Sequence, residues 1–135
     1  MGLDKGDALR EIDAATKEGR PAKLIDADLN GASLDGASLN DASLTGASLY
    51  RASLTRASLY GTQGIIEIGG EDWSLYLIRW ADSPRIKGGI CRWFETRAAA
   101  DTHWRKHHNR EHGALMLAKL DAAWMIARHL GWPGT

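Results

Sequence analysis

Four of the five histidines fall within ten residues: His103, His107, His108 and His112. His103, His107 and Glu111 are spaced by four. A continuous helix would carry them on one face, where two imidazoles and a carboxylate suit a divalent metal. Such a centre would imply a metal-dependent enzyme. Arg105, Lys106 and Arg110 crowd the same stretch and would repel a cation. The run also has no paired Cys-x-x-Cys of a strong zinc signature. The expectation is no metal, no cofactor and no catalysis, with the histidines on a solvated, pH-sensitive helix end. The basic run from Arg105 to Arg110 suits phosphate contact, but charge runs of this kind are ordinarily solvated faces, so no nucleic-acid partner is expected.

Other nucleophiles read as structural. Cys91 is the single cysteine, sits in an apolar stretch, and is expected in the core. Ser33, Ser38, Ser43, Ser48, Ser53 and Ser58 recur every five residues, which marks a structural position rather than a catalytic one. Gly69-Gly70 and Gly88-Gly89 lack the spacing of a phosphate-binding loop and read as turns.

Those serines belong to the dominant pattern of the chain. From Ala22 to Gly61 it runs in eight consecutive blocks of five, each with Ala first and Leu third. A fixed period of this kind is repeat architecture, and it fits neither a helix nor a strand. Ala and Leu two apart point to one side of an extended backbone, while the other three positions carry turn and solvent residues. One turn per block buries two positions and exposes three. Residues twenty apart then stack, placing Asn30 under Tyr50, Asn40 under Tyr60, Gly31 under Arg51 and Gly36 under Arg56.

Tandem Ala-(Asp/Asn)-Leu-x-x blocks of this kind resemble the pentapeptide-repeat proteins. The resemblance implies a right-handed quadrilateral β-helix, here of two coils, with Leu on its axis. The second position departs from the family pattern, being Ser six times and Asp only at Asp28. Some members of that family mimic DNA and bind DNA gyrase or topoisomerase IV. That role needs a long acidic rod. This chain has 17 Lys plus Arg and 17 Asp plus Glu, a formal net charge of zero, and Arg51 and Arg56 lie where acid would be wanted.

Two coils have little core of their own, and each contacts only its neighbours. Both ends therefore need covering. Residues 1–20 are expected to form a capping helix from Asp4 to Glu18, with Asp4 or Asp7 at its N-terminus and Gly19 and Pro21 ending it. Residues 21–61 form the repeat unit. Residues 62–135 hold all six Trp and the single Phe and are expected to form a β-hairpin plus two helices. Its strands are Ile65–Ile68 and Trp73–Trp80, the second apolar on both alternations. Residues 81–89 read as a hairpin loop, with 90–94 pairing back. Helices follow from Thr96 to about His108 and from about Ala114 to Leu130, separated by a break at 109–113. The last helix is apolar over much of its circumference, with Lys119, Asp121 and Arg128 marking its wet side. The pattern Cys91-Arg92-Trp93-Phe94, His103-Trp104 and Gly131-Trp132 resembles small C-terminal domains of phage and prophage proteins.

The reading that results is a mainly β protein with added helices: a short β-helix capped at both ends, working as a non-catalytic protein-interaction module. The expected contact residues are Tyr50, Tyr60, Arg51, Arg56, Asp28, Asp35, Asp41 and, at the chain's end, Trp132. A homodimer is expected through the last helix or the solenoid end. No window approaches the 18 apolar residues of a membrane span. With one cysteine and no leader-like stretch, the cytoplasm is the expected location.

Overall fold

The computed structural model describes residues 2–69, 73–89 and 92–135. Within them lie three helices and four strands, and the chain divides into two compact units, Met1–Ile65 and Ile66–Thr135. Residues 70–72 of the expected turn at 69–72, and the core position of Cys91, lie outside the described residues.

The first unit opens with α1, Lys5–Glu18. Asp4 caps it, its carboxylate accepting from the Asp7 amide at 2.8 Å, and Gly19 ends it at φ 66°, a left-handed value that glycine adopts without a Cβ penalty. Ala8, Ile12 and Ala15 are spaced at helical intervals and are buried. Just ahead of the helix, the Leu3 carbonyl accepts from the Asp28 amide at 2.8 Å. Glu11 reaches in the same direction. Its carboxylate takes both Arg20 terminal nitrogens, at 2.7 and 3.0 Å, and the Lys23 amide at 2.7 Å.

The repeats stack at the expected twenty-residue spacing. Isolated parallel bridges join Lys23 to Ser43, Asp28 to Ser48, Ser33 to Ser53, Ser38 to Ser58 and Ser43 to Gln63. Backbone bonds such as Leu29 N–H to Ser48 O (2.9 Å) and Gly31 N–H to Tyr50 O (2.7 Å) run between them. Within each level the chain turns by a bond from the next block's Ala amide to the Leu carbonyl, as from Ala32 to Leu29 at 3.0 Å. The fifth position of every block, third in that turn, has φ between 58° and 73°. A type II turn requires a positive φ there. Four of these positions are glycine; Asp26, Asp41, Arg51 and Arg56 adopt it with a side chain. Leu24, Leu29, Leu34, Leu39, Leu44, Leu49 and Leu54 are all buried, with the first-position alanines beside most of them.

The second unit is built on a four-stranded sheet in the order β1 (Ile65–Ile68), β2 (Leu75–Ile78), β3 (Arg85–Gly88), β4 (Arg92–Phe94). β2 pairs antiparallel with β3, Leu77 opposite Ile86, and β3 with β4, Lys87 opposite Trp93. This corrects the expected β-hairpin unit with a loop over 81–89, because that loop holds a strand of its own, β3. Pro84 and Gly88-Gly89 bracket Arg85-Ile86-Lys87 like a loop, yet the segment is a strand with Ile86 and Lys87 buried. Gly88 is small for a packing reason: a Cβ there would fall 2.6 Å from Cζ2 of Trp104.

All four residues of β2 are buried, on both alternations. One face packs into a core with Ile66, Ile86, Trp104, Met116, Leu120 and Trp124. The helices over it are α2, Arg97–Arg105, capped by Thr96, and α3, Arg110–His129, capped by Asn109 through the His112 amide at 3.0 Å. Thus α3 starts four residues earlier than expected, and Gly113 lies inside it rather than in a break. A Cβ at Gly113 would sit 2.3 Å from the Trp104 carbonyl oxygen; the glycine lets the two helices approach. Lys119, expected on the wet side, is buried, and its ammonium donates to the Trp73 carbonyl. A long aliphatic stem suits such a place when the head finds an acceptor.

Candidate functional site

The outward residues of the repeats stand at the fourth and fifth positions, the two central residues of each turn. Tyr50 is 40% exposed and Tyr60 82%. The Arg51 guanidinium lies 5.3 Å from the Tyr50 ring centre, a cation–π distance. Arg51 and Arg56 are exposed. Tyr50 and Arg51 thus form one patch; Tyr60 lies ten residues on, half of the twenty-residue stacking interval, and does not stack on Tyr50.

The acidic candidates are exposed but already occupied. The Asp28 carboxylate accepts from the Asn30 amide at 2.9 Å. Asp35 accepts the Ser53 hydroxyl, as Asn30 accepts that of Ser48 and Asn40 that of Ser58. Asn30 and Asn40 also hold the backbone amides of Tyr50 and Tyr60, at 3.1 and 3.2 Å. The second-position serines thus bond across levels to the fourth-position Asx of the level before. This ladder fixes the backbone from which both tyrosines project. Asp41 presses on the backbone of the level above: its Oδ1 lies 2.2 Å from where a Cβ on Gly61 would be.

Trp132 is not on the surface. It is 6% exposed, belongs to the core of the second unit, and its amide donates to Ala127 O at 3.0 Å. The left-handed Gly131 (φ 75°) folds the chain back so that the indole packs inward. Other large apolar residues are exposed, among them Leu115, Met125 and Ile126 on α3 and Leu130 at its C-cap, with Met125 70% exposed.

The histidines are brought together, but not as one helical face. α2 ends at Arg105, and residues 106–109 break the helix before α3. His103, His107 and Glu111 therefore lack a common helix, and Glu111 is exposed. Among the described residues no three His, Cys, Asp or Glu side chains are placed to hold a metal ion. His107 instead centres a cluster of rings, 4.4 Å from His108, 4.7 Å from His112 and 5.9 Å from His103. The Asn109 amide donates to His107 Nδ1 at 3.1 Å. Burial, then the charge of Arg92, then the neighbouring imidazoles push the His103 pKa below its ordinary value. Nothing in the sequence marks Arg92 as a site residue. It lies eleven positions before His103, and only the packing of β4 beside α2 brings it near.

A family model for pentapeptide repeats matches residues 22–61 in eight copies. Residues 22–61 belong to the pentapeptide-repeat family. The pentapeptide repeats thus account for the bridge ladder and the turns, and the match stops short of the four-stranded sheet. No curated protein and no solved structure matches the chain. No helix among the described residues is long and apolar enough to cross a membrane.

Proposed function

We propose that this chain is a non-catalytic protein-interaction module of the cytoplasm. Its pentapeptide repeats would wind as a two-coil, right-handed quadrilateral β-helix presenting Tyr50 and Arg51 on one rigid patch and Arg56 and Tyr60 farther round. The observation that carries this reading is the backbone at Arg51 and Arg56. Both hold φ near 60°, where four equivalent positions use glycine and an ordinary L-residue is strained by about 1–2 kcal/mol. Exposed cations kept at strained positions, one of them over an exposed tyrosine, suit recognition better than stability. The rigid ladder beneath them lowers the ordering cost of binding. A DNA-mimic role fits less well, since these cations interrupt the acidic surface it would need.

The test is affinity capture from a lysate of the native host, with the wild-type chain beside Arg51→Gly and Tyr50→Ser. A protein retained by the wild type and lost from both variants is expected. The same proteins retained equally by all three would overturn the assignment of this patch.

A homodimer through α3 is part of the same proposal. Leu115, Met125, Ile126 and Leu130 leave an apolar stripe on a charged chain, and antiparallel pairing of two such helices would cover both stripes. Sedimentation equilibrium should show a dimer that Met125→Glu converts to monomer; a strict monomer at high concentration would remove it.

A further inference from the structure

The second unit contains a cavity of about 360 Å³ that neither the repeats nor the family match explains. Its polar walls are Arg92 from β4, His103 from α2, His107 and His108 from the connection, and His112 from α3. No carboxylate is among its described lining residues. Apolar walls come from Trp73, Trp104 and Met116. His112 meets the Trp73 ring edge-on at 5.3 Å, and His103 meets Trp104 at 5.9 Å.

This wall chemistry selects its occupant. A cation would meet Arg92 and a cluster of imidazoles with no carboxylate to neutralise it. An anion would draw charge-assisted hydrogen bonds from Arg92 and from the imidazoles. His107 Nδ1 lies 3.1 Å from both the amide nitrogen and the carbonyl oxygen of Asn109, which leaves Nε2 as the nitrogen not engaged by Asn109. The half-exposed Trp73 indole supplies flat apolar surface suited to stacking, and the volume falls within the range of small-ligand sites. A dianion with several acceptor oxygens uses four imidazoles and a guanidinium better than a single carboxylate does.

We propose that this cavity binds a phosphate monoester carrying a flat ring, of the class of nucleoside monophosphates, with Arg92 and the histidines on the phosphate and Trp73 beside the ring. The lining residues all belong to the second unit, and failure of this proposal would leave the proposed function standing.

The test uses the full chain and four titrations: adenosine monophosphate, adenosine, inorganic phosphate and zinc. Tryptophan fluorescence and the histidine C2-proton resonances are the readouts. Saturable binding of the monophosphate is expected, with shifts at the clustered histidines and weaker binding of both adenosine and phosphate. Arg92 is exposed, so Arg92→Gln should fold and weaken the monophosphate by about tenfold; His112→Gln should weaken it too. Absence of saturable binding would overturn the proposal. So would undiminished binding by both variants, adenosine or phosphate binding as tightly as the monophosphate, or stoichiometric zinc on the histidines.

Discussion

The Trp104 carbonyl oxygen and the Gly113 α-carbon are in contact so close that a methyl group on Gly113 would fall 2.3 Å from that oxygen. Backbone cannot swing aside as a side-chain end can. Gly113→Ala should therefore destabilise the second unit by about 1–2 kcal/mol, because overpacking outweighs the roughly 1 kcal/mol that alanine gains in a helix. Gly6 in α1 is the control, since a Cβ there meets nothing nearer than 3.6 Å. Gly6→Ala should hold or raise the midpoint of urea unfolding while Gly113→Ala lowers it. Equal effects of the two would contradict this packing.

The strained arginines predict a gain of stability from a loss of side chain. Arg56→Gly relieves a left-handed φ of 60°, worth about 1–2 kcal/mol, and gives back part of that in unfolded-chain entropy. A net rise of about 0.5 kcal/mol is expected. Arg56→Ala keeps the Cβ and should show no such rise. Thermal melts of the three chains settle it.

Glu11 gives the first unit an acid limit. The hydrogen bond from Arg20, joined by the Lys23 amide, holds its carboxyl down to about 2 from an ordinary 4.5. A depressed folded pKa contributes stability in full above the unfolded value, and that contribution is lost as protons bind the folded form. Stability of the first unit should fall between about pH 5 and pH 2. Glu11→Gln should be less stable at neutral pH and show a flatter dependence over that window. An unchanged slope would mean other carboxylates govern it.

Leu44 is fully buried among the stacked leucines. Leu44→Asp brings a carboxylate into a dry row, at a cost of several kcal/mol, and should abolish the cooperative unfolding of the first unit. A folded variant with unchanged circular dichroism would show that the row tolerates water.

The repeats were legible because a period of five leaves a single arrangement of Ala and Leu facing inward, and the twenty-residue stacking follows from it. Helix α1 was legible from Asp4 and Gly19, which act locally. The second unit hid its main features in long-range packing. β3 carries Pro84 and Gly88 at its ends, and only the indole of Trp104 explains that glycine. Gly113 reads as a break until Trp104 is seen against it. The sequence neighbours of Trp132 and Lys119 point outward, yet both are inside because Gly131 reverses the chain and the Trp73 carbonyl accepts an ammonium. The histidines were visible as a group, but Arg92 joins them only through the sheet. The bonds between Ser48, Ser53, Ser58 and their Asx partners were missed because they link residues eighteen apart.

That serine ladder also carries a rule about length. A level is received by the one before it through Asn30, Asp35 and Asn40, whose side chains accept the incoming hydroxyls. The corresponding places one level later are Tyr50, Thr55 and Tyr60, none of which offers an amide or carboxylate oxygen. The sequence thus writes an acceptor face on its first level and withholds it from its second. A further level, whether grafted on or borrowed from another molecule, would find its serines without those acceptors. The stack ends by its own lettering, and what would have been a growth surface is left for tyrosine to occupy.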